Sequence, residues 1–480
     1  MYEHRLIGIG ITAGIAAITL TALALPAVAS TDDELKELRE QVRQLKESYE
    51  KRIEALEKRL QQTEQSATSA QSAATSAESI ASQAAAQASS RPAGESAFNP
   101  GISLILNGTY GNLSRDPARY RIGGFTPTGG DVAPPRRGLS LGESELVFSA
   151  NIDPSFRGTL IASLSPEDRI GVEEGFIETI GLSNGFSVKA GRFLSSVGYL
   201  NEVHPHAWDF TDASLANKAF LGNQLADDGV QVKWVAPTDL YVDVGAEAGR
   251  GRQFPGGPEG GRSKNGFGSG TLFAHLGGDI GASTAWRVGL SHLRTSPQDR
   301  TYADLDATGT GVTNSFSGTS RLWVLDGVLK WAPNGNATET NFKLQGEYFR
   351  REEGGSLTYD TTAASRGTRT GGYASRQSGF YAQAVYQFIP QWRAGYRYDR
   401  LSAGTTSIGL VNSGALAAAD FPILNAYNPT RNTFMVDWSP SEFSRVRLQY
   451  ARDRSQFGIA DNQVFLQYIM SLGAHGAHKF

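Results

Sequence analysis

Hydrophobic and polar positions alternate with a period of two from Phe98 to the end of the chain. Near the end, Val464, Leu466 and Tyr468 fall on one face of this pattern, and Gln467 falls on the other. A period of two is typical of β-strands, because successive side chains point to opposite faces. The pattern therefore predicts strands that have one face in lipid and the other in water.

Sixteen segments follow this pattern. They are residues 102–112, 139–152, 156–164, 172–180, 186–193, 230–236, 240–248, 272–278, 285–294, 322–331, 342–351, 380–388, 392–401, 434–438, 446–452 and 464–480. Short turns alternate with longer polar connections, of which the longest is residues 195–227. Such alternation predicts an all-β transmembrane barrel of about 16 antiparallel strands, with turns on the periplasmic side and loops outside. A Greek-key sandwich would not sort its connections in this way.

A different period precedes the strands. Apolar residues recur at spacings of three and four between Leu35 and Leu60, with one four-residue stutter at Ile53. Alanines keep the same register as far as Ala88. The pattern predicts an α-helical coiled coil over residues 30–90, Leu-rich and then Ala-rich, followed by a linker at 91–97 and the barrel at 98–480. A partly frayed helical spacer is the alternative for the Ala-rich part.

The first residues have the features of a secretion signal. An apolar run from Leu6 to Ala29 follows Arg5 and closes with an A-x-A sequence that ends at Ala29. This arrangement predicts a signal peptide over residues 1–29. The run is longer than an ordinary signal core, so an uncleaved N-terminal anchor is the alternative.

Composition narrows the function. The chain has no cysteine, which excludes disulfides, thiolate metal sites and a cysteine nucleophile. A net charge of −3 gives no support for nucleic-acid binding. No G-x-S-x-G motif lies on a strand-to-helix turn, and nothing in the sequence points to catalysis or to a cofactor. We therefore expect neither an enzyme nor a cofactor-binding protein.

The closing strand with its terminal Phe480 resembles the insertion signal of Gram-negative outer-membrane barrels. Residues 98–480 as a whole resemble a sixteen-stranded outer-membrane porin, and the preceding helix resembles the periplasmic coiled coil of phosphate-selective and dicarboxylate-type porins. The resemblance implies a homotrimer in outer-membrane lipid, in which each barrel is its own pore. It also implies that the third external connection, residues 195–227, folds inward as a constriction.

That connection carries the most distinctive local chemistry. His204 and His206, with Glu202 and Asp209 nearby, offer nitrogen and oxygen donors of the kind that divalent metals use. The alternative is that these four residues only line the constriction. The stretch departs from the acidic constriction motif of general porins, so their cation preference is not implied.

Alternation also predicts which charges face the lumen. With Trp392 and Tyr396 facing lipid, Arg393 and Arg397 face inward, and the same rule turns Arg445, Arg447, Glu143 and Glu145 inward. Four arginines remote from the two glutamates predict a positive wall, a transverse field and a mild anion preference. The alternative is that these charges neutralise one another and only keep the channel wet.

The sequence thus predicts a channel in the outer membrane that passes small hydrophilic solutes or ions by diffusion. One alternative is a structural protein that tethers the membrane to peptidoglycan through its coiled coil. A second alternative is a channel selective for divalent metals.

Overall fold

A computed structural model describes residues 101–129, 132–166, 169–257 and 265–473, together with part of residues 40–58. The chain divides into two units, Met1–Glu95 and Ser96–Phe480. In the first unit the described residues are helical and exposed, and Arg43 contacts Glu40 at 2.6 Å. The predicted signal peptide, Ala-rich heptads, linker and terminal Phe480 lie outside the described residues. The coiled coil therefore remains a prediction.

Eighteen strand segments of the second unit form one antiparallel sheet. They are β1 (Gly101–Leu113), β2 (Gly138–Leu141), β3 (Ser144–Asn151), β4 (Phe156–Leu164), β5 (Ile170–Thr179), β6 (Phe186–Leu194), β7 (Ala226–Val235), β8 (Tyr241–Gly249), β9 (Ser269–Ile280), β10 (Thr284–Thr295), β11 (Arg300–Leu305), β12 (Gly311–Trp331), β13 (Asn341–Tyr359), β14 (Arg369–Ile389), β15 (Trp392–Ile408), β16 (Thr430–Ser441), β17 (Ser444–Gln456) and β18 (Ile459–Gly473).

These segments close into a barrel of sixteen wall strands. β2 and β3 both pair with β1, so they are two halves of one wall strand. β10 and β11 both pair with β12 and form another wall strand in the same way. β1 pairs with β18 from Ser103 opposite Gly473 to Leu113 opposite Gln463, which closes the ring. Closure leaves no free sheet edge, as a membrane-spanning sheet requires. The predicted barrel is confirmed.

The two faces of the wall differ as the alternation predicts. On β17, Leu448 and Tyr450 point outward and are 55% and 42% exposed, whereas Arg447 and Gln449 are buried inside the barrel. The outer surface is thus a continuous apolar face for lipid. Among the described residues, no helix is both long enough and apolar enough to cross a membrane.

In the part of the second unit that the structure describes, helical elements lie in the connections between strands. The α-helices are Leu215–Leu221 and Gly409–Asn412, and the 3₁₀ turns are Pro117–Arg119, Leu200–Glu202, Pro205–Ala207, Pro333–Gly335, Ala418–Asp420 and Pro422–Leu424. Near the loop end of the barrel, Tyr359 packs edge-on against Phe421, with ring centroids 5.6 Å apart. Around them, buried apolar side chains from several loops form a small core. The connections that contribute to this core are therefore folded and are not loose polar loops.

Candidate functional site in the barrel lumen

Residues 195–225, which connect β6 to β7 and are called the inner segment below, lie inside the barrel. The Tyr199 amide donates to Glu347 on β13 at 2.6 Å. The Leu215 amide donates to Asp399 on β15 at 2.8 Å. Because the segment leaves β6 and reaches these distant strands, it crosses and narrows the lumen. This is the position that the resemblance to porins led us to expect.

Apolar packing holds the inner segment. Phe220 stacks on Phe349 of the wall, with centroids 5.6 Å apart and planes 7° apart, and it meets Phe125 edge-on. Val197 and Leu215 are fully buried in the same cluster. Burying a side chain of this size stabilises a fold by about 1.5–3 kcal/mol. A hydrophobic core therefore joins the inner segment to part of the barrel wall.

Local sequence explains the helix within the segment. The Ser214 side chain accepts from the Asn217 amide at the N-terminus, as a capping residue does. Gly222 ends the helix in the left-handed conformation, with φ of 67°. Every residue from Leu215 to Leu221 is buried. The helix is thus capped at both ends and enclosed on all sides.

Asp212 fixes the segment to the wall electrostatically. Its carboxylate accepts from Lys218 at 2.9 Å and from Gln449 at 3.1 Å, and it forms ion pairs with Arg397 and Arg431. Burial disfavours the charged carboxylate, but the three cations hold the pKa of Asp212 well below its usual range. Burial lowers the pKa of Lys218, although Asp212 partly opposes that effect.

Asp209 makes a second attachment. Lys343 donates to it at 3.0 Å, and Arg393 donates to it at 3.2 Å and to Asp437 at 2.6 Å. Burial alone would raise the pKa of Asp209, but Lys343 and Arg393 hold it well below the usual value. Asp209 is therefore a charged anchor of the inner segment.

The four predicted arginines divide into two pairs. Arg393 and Arg445 line a cavity, whereas Arg397 and Arg447 are only 1% and 0% exposed beneath the inner segment. The prediction that these arginines have no close acidic partners is wrong for three of them. Arg393, Arg397 and Arg447 form ion pairs within 4 Å with acidic residues of the wall and the inner segment, which are Asp209, Asp212, Asp399 and Asp437. Arg445 instead donates to the Trp208 carbonyl at 3.4 Å.

The cavity has a volume of about 1220 Å³ and lies toward the end with short turns. One side carries four cations, called the basic wall: Lys330, Lys343, Arg393 and Arg445, on β12, β13, β15 and β17. The opposite side carries three carboxylates, called the acidic wall: Glu145, Glu174 and Glu178, on β3 and β5. Arg157 and Lys189 also lie on the acidic side. The cavity therefore has charged walls of opposite predominant sign.

The predicted histidines contact the acidic wall. His204 lies 3.0 Å from Glu174 through Nε2 and 3.4 Å from both Glu145 and Glu173 through Nδ1. His206 lies 2.9 Å from Glu145 through Nδ1. These five residues are called the Glu/His cluster below. Burial disfavours the imidazolium, but Glu173 and Glu174 raise the pKa of His204 well above its usual value.

Glu202 also lies at the cavity, whereas Glu143 is not among the described residues that line it. Glu202 accepts from the Ser196 hydroxyl at 2.6 Å and lines the cavity. Glu143 lies in the gap between β2 and β3 and is half-buried. The structure thus brings Glu145, His204 and His206 together, while Asp209 contacts the basic wall.

A β-bulge explains how two consecutive glutamates reach one histidine. On β5, Glu174 pairs with Ile161, and Val172 pairs with the next residue, Ala162, so Glu173 is the extra residue of the bulge. In a regular strand neighbouring side chains point to opposite faces, and a bulge redirects one of them. Here it turns Glu173 inward beside Glu174.

Sequence reasoning missed Glu173, Glu174, Lys343 and Asp212. Lys343 lies directly opposite Lys330 in the strand register, which no local pattern reveals. The adjacent glutamates did carry a signal, because strict alternation would have placed one of them in lipid.

No family model matches the chain. A protein of Aquifex aeolicus strain VF5, described as uncharacterized, is 31% identical over 426 residues, which cover 81% of each chain. The chain belongs to the family of this Aquifex protein. The family assignment rests on sequence and brings no activity with it.

Solved structures of outer-membrane proteins are similar in outline. A loop-deletion mutant of OmpT from Vibrio cholerae gives a TM-score of 0.48 at 11% identity, covering 78% of this chain and 99% of that chain. OprB of Pseudomonas putida gives a TM-score of 0.43 at 14% identity, and the match covers 78% of this chain and 94% of that chain. The channel DcaP of Acinetobacter baumannii gives a TM-score of 0.44 at 10% identity, and the match covers 78% of this chain and 97% of that chain. These likenesses assign no solute to this chain.

Proposed function

We propose that this protein is an outer-membrane channel that passes small hydrophilic solutes by passive diffusion, with the inner segment setting its width. The observation that carries the proposal is a closed barrel with an apolar outer face and a cavity of about 1220 Å³ lined by charged side chains. Charged walls of this kind hold water and favour polar solutes over apolar ones.

The two walls suit dipolar solutes. A molecule that carries separated positive and negative groups can orient between the acidic wall and the basic wall. The basic wall has four cations, and the acids that pair with them are Asp209 and Asp437. Because cations outnumber acids there, we propose a weak preference for anions.

Within this proposal, residues 1–29 direct export and residues 30–90 form a periplasmic rod that associates with the rods of two other chains. Ile53 and Leu56 occupy predicted core positions of the rod and are 53% and 63% exposed in the single chain. Exposed apolar residues at these positions favour association with other helices. The homotrimer is part of the proposal.

Liposome swelling tests the proposal. Purified protein in liposomes should admit zwitterionic amino acids and small sugars, at rates that fall with solute size, and should exclude a large polysaccharide. Protein-free liposomes are the control. Swelling no faster than that of the control would contradict the channel function.

A further inference from the structure

We propose that the Glu/His cluster is a binding site for a divalent transition-metal ion such as Zn²⁺, with His204, Glu145 and Glu173 as ligands. Nδ1 of His204 and one oxygen of each carboxylate all lie within 4.8 Å of one another. A nitrogen with two carboxylate oxygens is a donor set that Zn²⁺ accepts.

The spacing of the donors fits a tetrahedral ion. Bonds of about 2.0–2.1 Å place the ligand atoms of a tetrahedral zinc roughly 3.3–3.4 Å apart. His204 Nδ1 lies 3.4 Å from Glu145 Oε2 and 3.4 Å from Glu173 Oε1. Two of the three donor separations are therefore already close to those that a shared ion would impose, and the third, between the carboxylates of Glu145 and Glu173, is at most 4.8 Å.

Two of the donor atoms also lack hydrogen-bond partners. Nδ1 of His204 and Oε2 of Glu145 are buried and have no such partner among the described residues, and neither has Oε2 of Glu173, the second oxygen of the third ligand. The Glu145 side chain is only 1% exposed. A buried carboxylate oxygen without a partner is costly, and a shared cation would offset that cost.

Neighbouring groups orient the ligands as they do in metal sites. Nε2 of His204 lies 3.0 Å from Glu174, which also accepts from the Leu194 amide at 2.8 Å. A carboxylate that accepts the second ring N–H of a ligating histidine fixes the tautomer that leaves Nδ1 free to bind. His206 Nδ1 lies 2.9 Å from the other oxygen of Glu145, and it holds that carboxylate in the same manner.

The Glu/His cluster borders the cavity. Glu145, Glu174, His204 and His206 all line it, so an ion bound there can exchange with solutes. Three protein ligands with an open fourth position differ from the closed four-ligand sites that serve structure alone. Mg²⁺ and Ca²⁺ prefer sites made of oxygen, so the histidine favours a transition metal. This assignment does not depend on the channel function.

Calorimetric titration of the full chain in detergent tests the site, after chelator treatment, with ZnCl₂ as the probe. We expect one zinc per chain, and at least about tenfold weaker binding for Glu173→Gln and for His204→Gln. Glu178→Gln is the matched control, because Glu178 faces the same cavity from the same strand but lies outside the cluster. Its affinity for zinc should equal that of the wild type.

A second measurement separates lost ligands from lost folding. Co²⁺ should give the visible absorption of a tetrahedral site in the wild type and in Glu178→Gln, and Zn²⁺ should abolish it. Circular dichroism and heat-dependent gel mobility check that each variant retains its barrel. Absence of saturable zinc binding in the wild type would overturn the proposal, as would folded Glu173→Gln and His204→Gln variants that bind like the wild type. Equal affinity for Mg²⁺ would overturn the choice of metal class.

Discussion

Neutralising Asp212 should release the inner segment from the wall. In Asp212→Asn the buried Lys218 and Arg431, which are 1% and 0% exposed, lose their shared carboxylate. Removing one partner of a buried ion pair costs about 3–5 kcal/mol. Asparagine keeps a hydrogen-bond acceptor, so we expect the lower cost of about 3 kcal/mol. This cost raises the equilibrium constant for detachment of the inner segment from the wall roughly a hundredfold.

Hydrogen exchange of the helix Leu215–Leu221 measures this opening. The Lys218 amide donates to the Ser214 carbonyl at 3.0 Å and should lose about two orders of magnitude of protection. Protection in β13 should stay unchanged, because strand pairing closes the barrel independently. Asp228→Asn is the control: Asp228 pairs with Arg192 at 2.7 Å but is 40% exposed, so its loss should cost at most about 1 kcal/mol. Unchanged protection of the helix in Asp212→Asn would refute the role of Asp212 as an anchor.

Four further predictions concern the membrane face, selectivity, acid sensitivity and assembly. Leu466 lies on the lipid face, so Leu466→Lys should reduce insertion into the outer membrane at a cost of up to about 2–4 kcal/mol. Gln467 lies on the lumen face, 3.2 Å from Arg447, so Gln467→Glu should insert normally. A membrane fractionation assay compares the two variants. Replacing Arg393 and Arg445 together by Gln should shift the reversal potential measured in a salt gradient to the value of a more cation-selective channel. An unchanged reversal potential would show that the two arginines do not line the conducting path. The folded-state pKa of Asp212 is depressed, so its contribution to stability is fully present above about pH 4 and is lost as the pH falls through the lower folded value. Helix protection factors should therefore fall when the pH is lowered from about 5 into stronger acid, and unchanged factors would contradict the role of Asp212. At high micromolar concentration the isolated rod should sediment with the mass of a trimer, and the mass of a monomer would contradict its predicted coiled-coil core.

The alternation of residues was sufficient to predict the barrel because lipid imposes it on every second position. The predicted strands are shorter than the observed ones where the strands extend beyond the lipid. The segment predicted as 380–388, for example, is part of β14, which covers Arg369–Ile389. Residues 369–379 are mostly polar or glycine, because beyond the membrane the outer face meets water instead of lipid and the apolar period is lost.

The site was less predictable because it depends on contacts between distant residues. Asp212 and Arg431 are 219 positions apart, and nothing local to either one indicates their pairing. The inward direction of Glu145 followed from period two, and His204 and His206 were singled out by composition. The neighbouring Glu173 and Glu174 could have been recognised, since two consecutive charges in a lipid-bounded strand require a bulge.

Single-channel conductance in planar bilayers tests the central claim, that each barrel is a water-filled channel whose width the inner segment sets. The comparison is between the wild type and a variant in which residues 204–220 are replaced by a short Gly-Ser linker. Circular dichroism would first show that both barrels are folded. We expect discrete steps for the wild type and steps several-fold larger for the variant. Equal steps would contradict the role of the inner segment, and the absence of steps from both folded proteins would contradict the channel itself.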